Sequence, residues 1–150
     1  MVTIPESKIG IVVSTYNSNI TERLYTGAVD TLKQAGWNAE QIITSKVPGA
    51  WELPLGAKWL LESDQIAAVL ALGAVIRGET SHDQHINRAV SQALMELMQT
   101  TGKPVGFGLL TCNSLEQAIH RAGGNVGNKG CETAQAVLAM LAIAPSTGSR

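Results

Sequence analysis

An α/β fold, with a central parallel sheet between two layers of helices, is predicted by three features of this 150-residue sequence. Four short apolar runs are each followed by a segment whose apolar residues recur at helical spacing. Those runs are apolar at consecutive rather than alternate positions, the mark of strands covered on both faces. Finally, 45% of the residues are apolar but only 4% aromatic, so the core must be packed from Ala, Val, Leu and Ile.

The first run, residues 9–14 (IGIVVS), leads to a stripe of Ile20, Leu24, Ala28 and Leu32. That helix is expected to open at Asn19, with Glu22 completing a capping box, and to stop at Gly36. The second and weakest run, residues 41–45 (QIITS), precedes a helix over residues 51–61 with Pro54 in its first turn, where a missing N–H costs little. The third, residues 67–76 (AAVLALGAVI), is the strongest. Its helix carries Ile86, Val90, Ala93, Leu94, Leu97 and Met98 on one face, after Ser81 and Gln84 in capping-box positions and before Gly102 as a stop. The fourth, residues 104–111 (PVGFGLLT), precedes a helix opened by Ser114 and Gln117 that runs to about Ala122.

Strands alternating with helices imply βαβ crossovers and a flavodoxin-like three-layer αβα sandwich. The length suits one domain over residues 1–150, with residues 1–8 and 145–150 as loose ends. In the last helix Ala134, Ala136, Val137, Leu138, Ala139, Met140, Leu141, Ala142 and Ile143 leave almost no polar face. A helix apolar all round needs cover all round, which in so short a chain is expected from further copies in a closed symmetric assembly.

Several function classes are disfavoured. The net charge is -1 and the Lys and Arg residues are scattered, so no stripe tracks a phosphate backbone and no nucleic-acid partner is expected. The leading MVTIPESK lacks the apolar run of a signal peptide, and no apolar stretch approaches a membrane span, which predicts a cytoplasmic protein. Cys112 and Cys131 form no C-x-x-C pair and have no histidine at ligand spacing; both read as small buried hydrophobes, with no metal site expected.

Ligands of open α/β sheets collect beyond the carboxyl ends of the strands. The loops there bring Tyr16, Trp51, Glu52, Arg77, Glu79 and His82 to one edge. The first loop has no glycine, against a dinucleotide-binding G-x-G-x-x-G turn, and the Gly-rich stretch over residues 123–130 lacks the Gly-Lys-Ser/Thr of a P-loop. No Ser lies in G-x-S-x-G. In the third loop, Gly78 turns the chain off the strand, so that the N–H groups of Glu79, Thr80 and Ser81 form a phosphate-binding helix start. His82 would then lie in the first helical turn, neutral near pH 7 and able to shuttle protons; the alternative is a solvated polar residue. Arg121, at a helix end, either turns to a ligand or caps carbonyls. Tyr16 and Trp51 either stack on a flat heterocycle or pack, and Glu52 either holds polyol hydroxyls or favours its own helix start.

Four motifs carry more. Val47-Pro48-Gly49-Ala50-Trp51-Glu52-Leu53-Pro54, Gly73-Ala74-Val75-Ile76-Arg77-Gly78-Glu79-Thr80-Ser81-His82, Pro104-Val105-Gly106-Phe107-Gly108, and Arg121-Ala122-Gly123 followed by Gly127-Asn128-Lys129-Gly130 resemble the lumazine synthase family in order and spacing. The resemblance implies a cofactor-free transferase that condenses 5-amino-6-(D-ribitylamino)uracil with 3,4-dihydroxy-2-butanone 4-phosphate, late in riboflavin biosynthesis. It implies that Tyr16 stacks on the pyrimidine, that Ala50, Trp51 and Glu52 hold the ribityl chain, and that Ala74, Val75 and Ile76 read the pyrimidine edge. It further implies that Glu79 and Thr80 bind the ketone phosphate and His82 transfers protons. Phe107 and Arg121 would enter from a neighbouring subunit of a homopentamer, Arg121 on the phosphate. The short turn over residues 123–127 resembles that of members whose pentamers build a 60-subunit icosahedral shell, with riboflavin synthase a candidate partner. One departure stands out: the family often has an aromatic directly after the histidine and another two residues on, whereas this chain reads His82-Asp83-Gln84-His85. Two other readings stay open, a binder of flavin-like heterocycles and a shell protein without activity; neither needs both His82 and Arg121.

Overall fold

Parallel strands β1 (Lys8–Ser14), β2 (Ile42–Val47), β3 (Ile66–Ile76) and β4 (Val105–Cys112) form one sheet in the order β2-β1-β3-β4. The computed structural model describes residues 7–77, 82–124 and 127–145, and His82 by its backbone alone. Each strand lies within two residues of its apolar run. β1 opens at Lys8, paired with Ile66, inside the stretch expected to be loose.

Helices α1 (Ser18–Gln34), α2 (Leu53–Leu61), α3 (His82–Thr101), α4 (Leu115–Arg121) and α5 (Lys129–Ile143) cover the sheet. Alternation along the buried strands divides the core in two. Ile9, Ile11, Val13, Leu70 and Leu72 face Leu24, Ala28 and Leu32 of α1 and Ala134 and Val137 of α5. Val12, Val69, Ala71 and Leu109 face Leu53 and Ala57 of α2 and Val90 and Leu94 of α3. The result is the three-layer α/β sandwich that the alternation of runs predicts.

Local details depart from expectation in four places. α1 begins one residue before Asn19, with Asn17 at its cap in the left-handed region (φ 62°) and no side-chain cap. A 3-10 turn, Ala50–Glu52, precedes α2, although Pro54 does lie in the first turn of α2. Cys131 is half-buried, its thiol donating to the Gly27 carbonyl at 3.4 Å, whereas Cys112 is buried as expected. Between α4 and α5 the glycine-rich bend contains a small antiparallel pair, β5 (Ala122–Gly124) and β6 (Gly127–Asn128). Ser81 lies outside the described residues; the Ser114 cap is present, its hydroxyl accepting from Gln117 N at 3.1 Å.

Candidate active site

At the carboxyl end of the sheet, hydrogen bonds stitch three strand ends together. Thr15 N donates to the Val47 carbonyl at 2.8 Å, and Tyr16 N to the Pro48 carbonyl at 2.8 Å, so the loop after β1 runs along the loop after β2. Asn17, a residue type that tolerates left-handed backbone, turns the chain into α1, and its Nδ2 donates to the Ala74 carbonyl of β3 at 3.0 Å. This contact explains the displaced helix start: the asparagine side chain serves the sheet instead of the helix.

Tyr16 stands 65% exposed at this edge, and Trp51 63% exposed. The Tyr16 ring lies over Gly49, where a methyl group would come within 2.7 Å of Cδ2 and 2.9 Å of Cε2. Glycine at that point lets an aromatic face stand clear of the loop. Glu52 Oε1 accepts from Gly49 N at 2.9 Å, so its carboxylate braces the same turn. Ala50 is buried, Val75 and Ile76 are half-buried, and the Ala74 side chain joins the core. Trp51 also borders an apolar groove with Leu55, Ala89 and Ala93 between α2 and α3.

A second group lies at the outer edge of β4. Phe107 is 39% exposed and pairs with Ala71, three residues upstream of the Ala74 carbonyl that receives Asn17. That is about 10 Å along a parallel strand, and β3 separates β1 from β4 by about 10 Å more. One chain therefore does not bring Phe107 to Tyr16. Arg121, the last residue of α4, lines a pocket of about 310 Å³ with Leu110, Thr111, Lys129 and Glu132. Burial raises the Cys112 thiol above its ordinary value, opposed by the nearby Arg121 charge and its hydrogen bond to the sulfur. The guanidinium thus sits beside the last residue of β4. Lys129 was not singled out from sequence as a site residue; its signal was the Gly127-Asn128-Lys129-Gly130 motif, where a cation opens a helix.

Glu79 and Thr80 lie outside the described residues, as does the His82 side chain; the His82 backbone begins α3. Asp83, where the family often has an aromatic, is buried, with no partner for Oδ1 among the described residues. Another cavity, of about 560 Å³, opens between α1 and the ends of β1 and β2 against Thr15, Ser18, Tyr25, Thr44 and Lys46. None of the site residues expected from sequence lines it. Among the described residues, no helix is long and apolar enough to cross a membrane.

A family model described as 6,7-dimethyl-8-ribityllumazine synthase matches residues 6–144. The chain belongs to this family. Two curated lumazine synthases are similar to it over most of their length. The protein of Rhodopirellula baltica is 47% identical over 140 residues, covering 93% of this chain and 90% of that protein. That of Bacteroides fragilis is 45% identical over 134 residues, covering 89% and 94%.

Proposed function

We propose that this chain condenses 5-amino-6-(D-ribitylamino)uracil with 3,4-dihydroxy-2-butanone 4-phosphate to 6,7-dimethyl-8-ribityllumazine, the penultimate step of riboflavin biosynthesis. The observation that carries this reading is the family match across residues 6–144, with relatives of that name 45% and 47% identical. The primary amine of the pyrimidine attacks the ketone and, with loss of water, gives an imine. Inorganic phosphate is eliminated, and the ribityl-bearing nitrogen closes the second ring with loss of a second water. Each step moves protons between nitrogen, carbon and oxygen, work suited to one neutral imidazole, assigned to His82. Holding two substrates in register supplies much of the remaining acceleration.

Tyr16, standing clear over Gly49, stacks on the pyrimidine. Ala50, Trp51 and Glu52 flank the ribityl chain, and the strand end Ala74, Val75 and Ile76 offers backbone groups to the ring edge. Glu79 and Thr80 meet the phosphate with Arg121, and Lys129 adds a second cation from the same pocket. Phe107 and Arg121 act on the site of a neighbouring subunit; the distance of Phe107 from Tyr16 within one chain supports this division. The apolar face of α5, where Met140 is 48% and Ile143 72% exposed, supports a homopentamer, and the short turn before α5 a 60-subunit shell. Cytoplasmic residence and association with riboflavin synthase complete the proposal.

The test is to mix the purified protein with both substrates and follow the lumazine absorbance. Turnover above the uncatalysed rate is expected. An intact, assembled protein that leaves that rate unchanged would favour a binding role instead.

A further inference from the structure

Asn128 makes a set of contacts that the reaction does not itself use. Its Oδ1 accepts from Gly130 N at 2.7 Å and from Cys131 N at 3.1 Å, capping α5, while its Nδ2 donates to the Arg23 carbonyl of α1 at 3.1 Å. The amide is wedged against bare backbone: a methyl at Gly27 would come within 2.6 Å of Oδ1 and 2.7 Å of Cγ and Nδ2. Both ends of the side chain are therefore held, one by α5 and one by α1. The next residue is Lys129, which lines the pocket with Arg121.

We propose that Asn128 is a positioning residue for the phosphate subsite, tying the first turn of α5 to α1 and so setting the point from which Lys129 reaches an anion held at Arg121. A lysine stem is flexible, so the anchor of its backbone limits the ammonium's reach more than its rotamers do. Asparagine suits the place because one end must accept two N–H groups and the other must donate; aspartate supplies only the first. The proposal rests on reading the pocket of Arg121 and Lys129 as the place of the ketone phosphate.

Steady-state kinetics on the assembled protein test it, with inorganic phosphate as a competing probe of the subsite. Asn128→Ala is expected to raise both the KM for the phosphorylated ketone and the phosphate inhibition constant about tenfold, the scale of a small misplacement, with the pyrimidine KM unchanged. Asn128→Asp should fall between. Gly27→Ala lies outside the pocket and by itself favours a helix, yet should raise the same two constants by displacing the amide. Combined with Asn128→Ala it should add nothing, because the methyl then occupies the space the amide has left. Equal losses for both substrates, or additive losses in the double variant, would overturn the proposal. Should Asn128→Ala fail to assemble, Gly27→Ala carries the test, since it keeps every hydrogen-bonding group. If Arg121→Ala and Lys129→Ala leave phosphate inhibition unchanged, the subsite is misassigned and the proposal falls with it. If they weaken inhibition while Asn128→Ala does not, the positioning role alone is wrong.

Discussion

Tyr16 is a large apolar side chain held in solvent, and the residue beneath it explains how. The ring rests on Gly49, whose own N–H is engaged by Glu52 Oε1, so the platform is rigid and flat. Gly49→Ala places a methyl against Cδ2 and Cε2 and must push the ring aside. The expected result is a rise of about tenfold in the KM for the pyrimidine, comparable to losing a base-stacking contact, with the KM for the ketone little changed. Identical kinetics in Gly49→Ala and the parent would remove Tyr16 from the pyrimidine site. For His82→Ala, turnover should fall by about 100-fold, the lower end of what general acid–base groups supply. Pyrimidine affinity measured by titration should hold. Unimpaired turnover would exclude the imidazole from proton transfer.

Among the elements, helix ends decide where side chains stand. α4 starts where a local pattern places it, because Ser114 and Gln117 satisfy each other's neighbourhood: the Ser hydroxyl accepts Gln117 N, and Gln117 Oε1 accepts Asn113 N at 2.8 Å. α1 starts where a distant carbonyl, that of Ala74, claims the Asn17 side chain. α2 is likewise closed from a distance, by Lys103 Nζ donating to the carbonyls of Leu61 at 3.0 Å and Ser63 at 3.1 Å. A cation at the negative end of a helix is favourable, and these two bonds join the end of α2 to the segment entering β4. Lys103→Met keeps the aliphatic stem and removes the donor, so a loss of about 1 kcal/mol is expected in chemical denaturation, with activity preserved at low temperature. An unshifted unfolding midpoint would mean that water replaces the ammonium without cost.

At the scale of the whole molecule, the surface left bare is as informative as the core. Met140 and Ile143 project from a helix whose other side packs against α1 and the sheet, and Phe107 sits away from Tyr16. Both facts accord with the proposed assembly, in which further copies cover α5 and complete the site. Analytical ultracentrifugation is expected to give pentamers, gathered into sixty-subunit particles. A monomer or dimer at micromolar concentration would defeat the assembly and the shared site together; a stable free pentamer would defeat only the shell. Met140→Asp with Ile143→Asp should shift the distribution toward smaller species and reduce activity in parallel, since charge on a covered apolar face is costly. Full activity in a dissociated variant would show the site to be complete within one chain.

Much of this protein follows from order along the chain. β1, β3 and β4 are legible because burial on both faces demands consecutive apolar residues, whereas β2, at the sheet edge, has no buried residue, which corrects the expectation of cover on both faces there. The stripes of Ile20, Leu24, Ala28 and Leu32 or of Val90 and Leu94 demand a helical period, and these are local constraints. The exclusion of a dinucleotide loop and the motifs around Trp51 and His82 were equally readable, since they are short words. The β5–β6 pair was not, being too short for any alternation to register. Nor were the contacts that shape the site. That Tyr16 would lie over Gly49, that Asn17 would reach Ala74, and that Lys129 would share a pocket with Arg121 while Asn128 bound α1, were decided only when the layers packed. Periodicity records which face of an element is buried, but the partner of a single polar side chain depends on distances between segments far apart in the chain, and those exist only in the folded molecule.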